Sequence, residues 1–580
     1  MFRVSFLAAV LTTCAFTIGT APTALTADIA PTAPPAPAAS VSAIVPAPDA
    51  PSSVALAASF ATPAPENRPW AFWVWQNGNI TREGITADLE AMKNVGIGGA
   101  LIMELGYGNI PPRGPADFLS DEWRSIFRHM IDEAKRLDLK INMFASAAFA
   151  GGGGFWIRPE HSMQILTFSE TTIAAASPRS PEIKLALPPA KHNFYRDVTV
   201  LAFPTPANAA KRRQPSYPGG GYKVFSEPNI SKSNPVIAKK DIIDISYLMA
   251  ADGTLRWTPP AGNWTILRVG HTSNGHLLLP PPISGSGLEC DKLSVEATEI
   301  FFNGQMKRLI DENKNNAGYD KTLIATHIDS WEIGSQNWTP KMRDGFLKHS
   351  RYDILPFLPV FSGFQIDSPA DTQRFLWDFR NTVSKMVIEN YAGTIRRLAN
   401  KNKLAFSIEA YDGAPCDALE YGGIADHPTG EFWTNKRCIY TDMRGMASSA
   451  HIYGKQFVPA EAFTAFPNER WTTHPRTFKP IGDLAFCEGA NRFIFHAVTH
   501  QPRPDSLAPG MLYFKWGSHY ERTQTWWEKS VPWHQYLTRC QYLLKQGKFV
   551  ADIAYLEPEN SPQRFTNHPR DGYLWDHVNA

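Results

Sequence analysis

Little in this 580-residue chain provides for a nucleotide, a structural zinc ion or a polyanion. No Gly-Lys-Ser or Gly-Lys-Thr closes a phosphate-binding loop. There is no His-Glu-x-x-His and no Cys-x-x-Cys, the spacings that place zinc ligands on one face. Lys and Arg number 57 against 55 Asp and Glu, and no block of one sign occurs, so a nucleic-acid partner is not expected. Cysteine is scarce, at six residues, and only Cys290, Cys416, Cys438, Cys487 and Cys540 lie beyond the first 27 positions. Five thiols allow two disulfides at most, and a core of this size needs none. Past the N-terminus no apolar run is long enough to span a bilayer.

What the chain does hold begins with a leader. Residues 1–27 carry one arginine, a short apolar run and then small residues, which reads as a secretory signal peptide and implies export to the periplasm or the medium. Residues 28–67 are rich in Ala and Pro and read as an extended linker. Aromatic side chains are abundant, with 17 tryptophans, and suit either cores or the apolar faces of sugar rings.

From residue 68 a strand–helix rhythm starts. "WAFWVW" (70–75), "IGGALIM" (97–103) and "LKINMFA" (139–145) read as strands. Between them, Ile85, Leu89, Met92 and Val95 share one helical stripe closed by Gly96, and Trp123, Phe127, Met130 and Ala134 share another opened by Ser120. Between 163 and 286 helical periodicity vanishes and alternating runs such as "DVTVLAFP" take over, the pattern of an inserted β-sandwich-like domain. The rhythm resumes with strands expected at 323–328, 404–410, 422–426, 456–462 and 492–498. Eight such units predict a TIM (β/α)8 barrel, built from 68–162 and 287–546 with the β-rich segment spliced in after the third strand. Residues 547–580 open with the apolar "FVADIAYLEP" and read as the start of a further domain.

Active sites of such barrels lie at the C-terminal strand ends. Asp329 and Glu332 fall just past the fourth expected strand, Glu409 ends the fifth, Glu431 follows the sixth and Glu461 ends the seventh. One such acid alone is equally explained by an arginine pair or a helix cap. Desolvating a lone carboxylate costs several kcal/mol, so a set of them around one mouth points to shifted pKa values or a shared cation. Two facing carboxylates suit glycosidic bond cleavage, one protonating the leaving oxygen and the other activating water or attacking carbon. Glu332 and Glu461, on opposing sides of the ring, are the chosen pair.

Around them, Trp331 and Trp433 are sugar platforms or core plugs, and Glu409, His427 and His496 are candidates to bind substrate hydroxyls. A zinc site from His427, His496 and His500 is disfavoured, because residues four apart on a strand sit about 13 Å from each other. The run "AGGGGF" reads as a rim loop near substrate or a hinge into the insertion.

Several long motifs then take the reading further: "PWAFWVWQNGNITREGITADLEAMKNVGIGGALIME", "GLECDKLS", "IDSWEIGSQNWTPKMRDGF", "YDILPFLPV", "HPTGEFW" and "FVPAEAFT". In this order, from Pro69 onward, they resemble the α-L-rhamnosidases of glycoside hydrolase family 106. The resemblance implies an inverting hydrolase with a TIM-barrel catalytic domain, appended β-sandwich domains and a bound calcium. It places the acid on Glu332 and the second catalytic glutamate on Glu461, and assigns Glu431, with Asp329, to the cation. The glycine-rich loop departs from the family's pattern. The alternatives are a galactosidase-like barrel enzyme for another sugar, or a carbohydrate-binding protein without activity.

Overall fold

The computed structural model describes residues 53–556, apart from 150, 175–181, 218, 221–222, 225, 412, 470 and 514–515. The leader and residues 557–580 therefore lie outside the described residues. Within the stretch read as linker, α1 (Ser53–Ala61) is a helix rather than an extended chain. Its alanine-rich sequence, with no proline inside it, favours that state.

Eight parallel strands close into a barrel in sequence order: β1 (Trp70–Gln76), β2 (Gly99–Leu105), β3 (Lys140–Phe144), β4 (Leu323–Ile328), β5 (Ala405–Glu409), β6 (His427–Trp433), β7 (Pro459–Thr464) and β8 (Arg492–Thr499). Pairing of β1 with β8 completes the ring. Side chains of a strand alternate between faces, so β1 sends Phe72 and Val74 into the barrel and Trp73 and Trp75 toward the helices. Both faces are covered, which is why the run is apolar throughout.

The first two helices form where their sequence signals lie. Thr81 Oγ1 accepts from the Gly84 amide at the start of α2 (Arg82–Val95), and Gly96 ends it at φ 92°. Ser120 Oγ accepts from the Trp123 amide at the start of α3 (Asp121–Arg136). Helix α2 also carries the tie that locks the barrel seam. Asp88, 2% exposed, accepts from Trp73 Nε1 at 3.1 Å, His500 Nδ1 at 2.7 Å, the Gln501 amide at 3.2 Å and Arg522 Nε at 2.6 Å. One carboxylate thus joins β1, α2 and the segment after β8.

The sixth strand differs from expectation. Residues 418–424 form a helix capped by Asp417, whose side chain accepts from the Glu420 amide, and the strand is "HPTGEFW" instead. The apolar run 422–426 misled, and Pro428 disguised the true strand, since proline cannot donate to a ladder.

After β3 the chain builds an antiparallel sheet from Gln164–Ala174, Asn263–Ser273, Arg196–Pro204 and Ile243–Asp244, neighbours in that order. One face, with Leu201, Phe203, Leu267 and Val269, belongs to the main core, where Phe203 meets Phe364 edge to face at 5.1 Å. The other face buries Val200, Ala202 and Ile266 against Leu255 and Trp257, beside the ribbon formed by Glu182–Lys184 and Thr254–Arg256. At the far end, the apolar run 549–558 reads as a strand, and its described residues, 549–556, form none. Phe549, Val550, Ile553 and Leu556 are exposed, and an isolated strand without a partner is unstable. Among the described residues no helix is long and apolar enough to cross a membrane.

Candidate active site

The barrel interior divides in two. Strands β1, β2, β3 and β8 supply an apolar half that includes Phe72, Leu101, Met103, Phe144 and Ile494. Strands β4 to β7 supply polar side chains. His327 Nδ1 lies 2.8 Å from Ser407 Oγ, which also accepts from Asn142 Nδ2 at 3.0 Å. Two residues beyond His327, Asp329 Oδ1 lies 3.3 Å from His327 Nε2.

Toward the mouth, Glu431 and Glu461 are register partners on adjacent strands β6 and β7. Neighbouring strands lie about 4.8 Å apart, so like charges at these positions repel strongly. A bulge after Phe432, with Phe463 at φ 64°, returns Thr464 to the inner face. There its hydroxyl donates to Glu461 Oε1 and lies 3.2 Å from His496 Nδ1.

Electrostatics follow from this crowding. Burial, then the charges of Glu431 and Asp329, push the Glu461 carboxyl well above the ordinary carboxylate range; Thr464 opposes the shift and Glu332 adds to it. Glu409 is pushed the same way by burial, then by Asp329 and Glu461. Burial drives His496 down to about 4, so its 3.4 Å approach to Glu461 is not an ion pair. Glu332 sits half-buried on the loop after β4, within electrostatic reach of Glu461 and of Tyr107.

The acids expected at the strand ends therefore converge. Two other expectations are corrected. His427 opens β6 and lies at the opposite end of the barrel from Glu461, edge to face with Phe457 at 5.2 Å, and does not border the site. Four residues of strand separate it from Glu431, about 13 Å. Trp331 is 4% exposed and edge to face with Tyr391, a core side chain and not a sugar platform. Trp433 lies at the mouth, its indole nitrogen donating to Glu431 and its ring packed on Phe466 at 4.6 Å.

The glycine run has a packing reason. A side chain at Gly153 would meet Leu288 O at 2.2 Å, because Gly153–Gly154 pairs with Leu288–Glu289 of the "GLECDKLS" motif. It is a close crossing of backbones.

Sequence reasoning missed His327, Tyr107, Tyr411, Thr464 and Tyr513. His327 was legible, since a two-residue period puts it on the face of Asp329. Tyr411 donates to Glu409 Oε2 at 2.6 Å, and Tyr107 and Tyr513 oppose hydroxyls at 3.3 Å across the mouth. These come from loops whose return over the barrel carries no periodic signal.

The residues fit a hard divalent cation. Donor atoms of His327, Asp329 and Glu409 lie within 4.8 Å of one another, and Glu409 Oε1 is buried with no hydrogen-bond partner. The carboxylates are the oxygen donors such an ion takes, with His327 placed to orient Asp329. Asp329 and Glu431, expected to share the ion, fall in different groups; Glu431 clusters with Cys438 and Asp442.

A family model described as alpha-L-rhamnosidase, Glyco_hydro_106, matches residues 61–218 and 219–580. The chain belongs to glycoside hydrolase family 106. Among solved structures it is similar to the rhamnosidase from Novosphingobium sp. PP1Y, with TM-score 0.74 and 26% identity over 86% of this chain and 61% of that one. A curated protein of Formosa agariphila named "Putative beta-glucuronidase" is 36% identical over 511 residues, 87% of this chain and 43% of that protein. The chain thus spans less than half the length of that relative and about three-fifths of the solved one.

Proposed function

We propose that this family 106 chain is an exported enzyme that removes α-L-rhamnose from glycans or glycosides by inverting acid–base hydrolysis. The observation that supports it most is the gathering of Glu332, Asp329, Glu409, Glu431 and Glu461 in one half of the barrel mouth, with Glu332 and Glu461 in mutual reach.

Glu332, the more exposed of the pair, donates its proton to the glycosidic oxygen as the carbon–oxygen bond breaks. Glu461 takes a proton from the water whose oxygen bonds to the anomeric carbon. Thr464 and His496 fix the orientation of Glu461 from behind. Glu461 acts as a base only when ionised, and its anionic neighbours oppose that. Calcium, when bound by Asp329 and Glu409, supplies the positive charge that favours the ionised carboxylate.

A β-glucuronide is the other substrate suggested by a relative. Its carboxylate would enter a mouth already lined with acids, so a neutral sugar is favoured. The test is a panel of aryl α-L-rhamnoside, β-D-glucuronide and β-D-galactoside, each with and without a chelator. Turnover of the rhamnoside alone is expected, lost on chelation and restored by calcium better than by magnesium, which demands stricter octahedral geometry. Faster turnover of the glucuronide or galactoside would replace the reading. Rhamnose binding without any turnover would favour a carbohydrate-binding protein.

A further inference from the structure

We propose that Lys292 is a positioning residue for Glu332, acting through the indole of Trp331; this rests on the reading of Glu332 as the general acid. Lys292 and Glu289 are both fully buried, with Nζ 2.5 Å from Glu289 Oε2. The same Nζ lies 5.4 Å from the Trp331 ring and 5.2 Å from the Tyr391 ring, within range of cation–π attraction to both. Those rings meet edge to face at 6.4 Å, and the Trp331 indole nitrogen donates to Gly334 O. Trp331 is therefore held at its face, its edge and its nitrogen.

Glu332 is the next residue, on a segment with no helix or strand of its own to orient it. Ser330 Oγ donates to Glu332 Oε1 at 3.5 Å, and the fixed indole beside it holds the backbone from which the carboxyl projects. Glu289 extends the clamp further, because its Oε2 also accepts from the Gly152 amide at 3.0 Å. One ion pair thereby fastens the loop after β3, the "GLECDKLS" motif, the helix carrying Tyr391 and the loop carrying Glu332. Burying two charges is costly, and well-packed neutral residues would do as well for stability alone. Their placement against the acid-bearing loop gives the pair a role in geometry.

A general acid matters most when the leaving group is poor, since a dinitrophenolate departs without protonation. The experiment compares phenyl and dinitrophenyl α-L-rhamnosides in the double variant Glu289→Gln/Lys292→Met, which removes both charges together. Expected is a fall in kcat on the phenyl substrate of roughly 10–100-fold, the scale of a misplaced catalytic group. The dinitrophenyl rate and both KM values change little. Equal loss on both substrates, or no loss, overturns the proposal. Trp331→Leu repeats the test with the ion pair intact and carries it if the double variant does not fold. Glu332→Gln, run beside them, separates the two claims. If Glu332→Gln shows no leaving-group selectivity, the reading of Glu332 fails and Lys292 loses its role with it. If it is selective and the clamp variants are not, the clamp alone is wrong.

Discussion

Replacing Glu461 with Gln lowers kcat on an aryl α-L-rhamnoside by about 10²–10⁴-fold, the usual contribution of a general base. Glutamine keeps the volume and can still accept from Thr464, so the loss reports the missing proton acceptor and not a collapsed pocket. Glu332→Gln gives a loss of similar size on a phenyl rhamnoside and a smaller one on an activated aryl group. Circular dichroism of the variants checks that the barrel remains folded. A rate within a few-fold of wild type in either variant removes that residue from the chemistry. The neighbouring acids are the internal comparison: with calcium held by Asp329 as proposed, the deficit of Asp329→Asn shrinks as calcium is raised, whereas that of Glu461→Gln persists.

Asp88→Ala destabilises the fold by about 3–5 kcal/mol, the range found when one partner of a buried ion pair is removed. The side chains of Asp88 and Arg522 are 1% and 7% exposed. Arg522 also pairs with Asp505 near the surface and donates to the Gln501 and Arg503 carbonyls, so it keeps other acceptors. The indole of Trp73, the ring of His500 and the Gln501 amide lose an acceptor, and a buried donor left unpaired bears the desolvation cost. Urea titration followed by tryptophan fluorescence measures the change. A shift under about 0.5 kcal/mol, the ordinary size for a surface substitution, would contradict the structural role. Because β8 carries His496 four residues before His500, loosening this tie also disturbs the support behind Glu461.

How much of this was legible beforehand depends on which forces leave periodic traces. The strands β1 to β5, β7 and β8 and both early helices show themselves through apolar runs and caps, because parallel strands buried on both faces leave little freedom of composition. The sixth strand did not, since its polar inner face and Pro428 resemble a loop. The error moved His427 from the barrel floor to the mouth, for a strand misplaced by a few residues puts its ends at the wrong depth. Glu332 and Glu461 were placed by strand position and motif together. Nothing in the local sequence showed that Trp331 would be enclosed by Lys292 and Tyr391, which lie 39 positions before it and 60 after it in the chain. Contacts of that separation are set by the closed barrel, and only the folded chain displays them.

The most direct test is proton NMR of the sugar released in the first minutes of aryl α-L-rhamnoside hydrolysis. With Glu332 as acid and Glu461 as the base that activates water, as proposed, β-L-rhamnose forms first and mutarotates afterward. First appearance of the α anomer would mean that a carboxylate attacks carbon directly, and the division of labour between these two glutamates would be wrong.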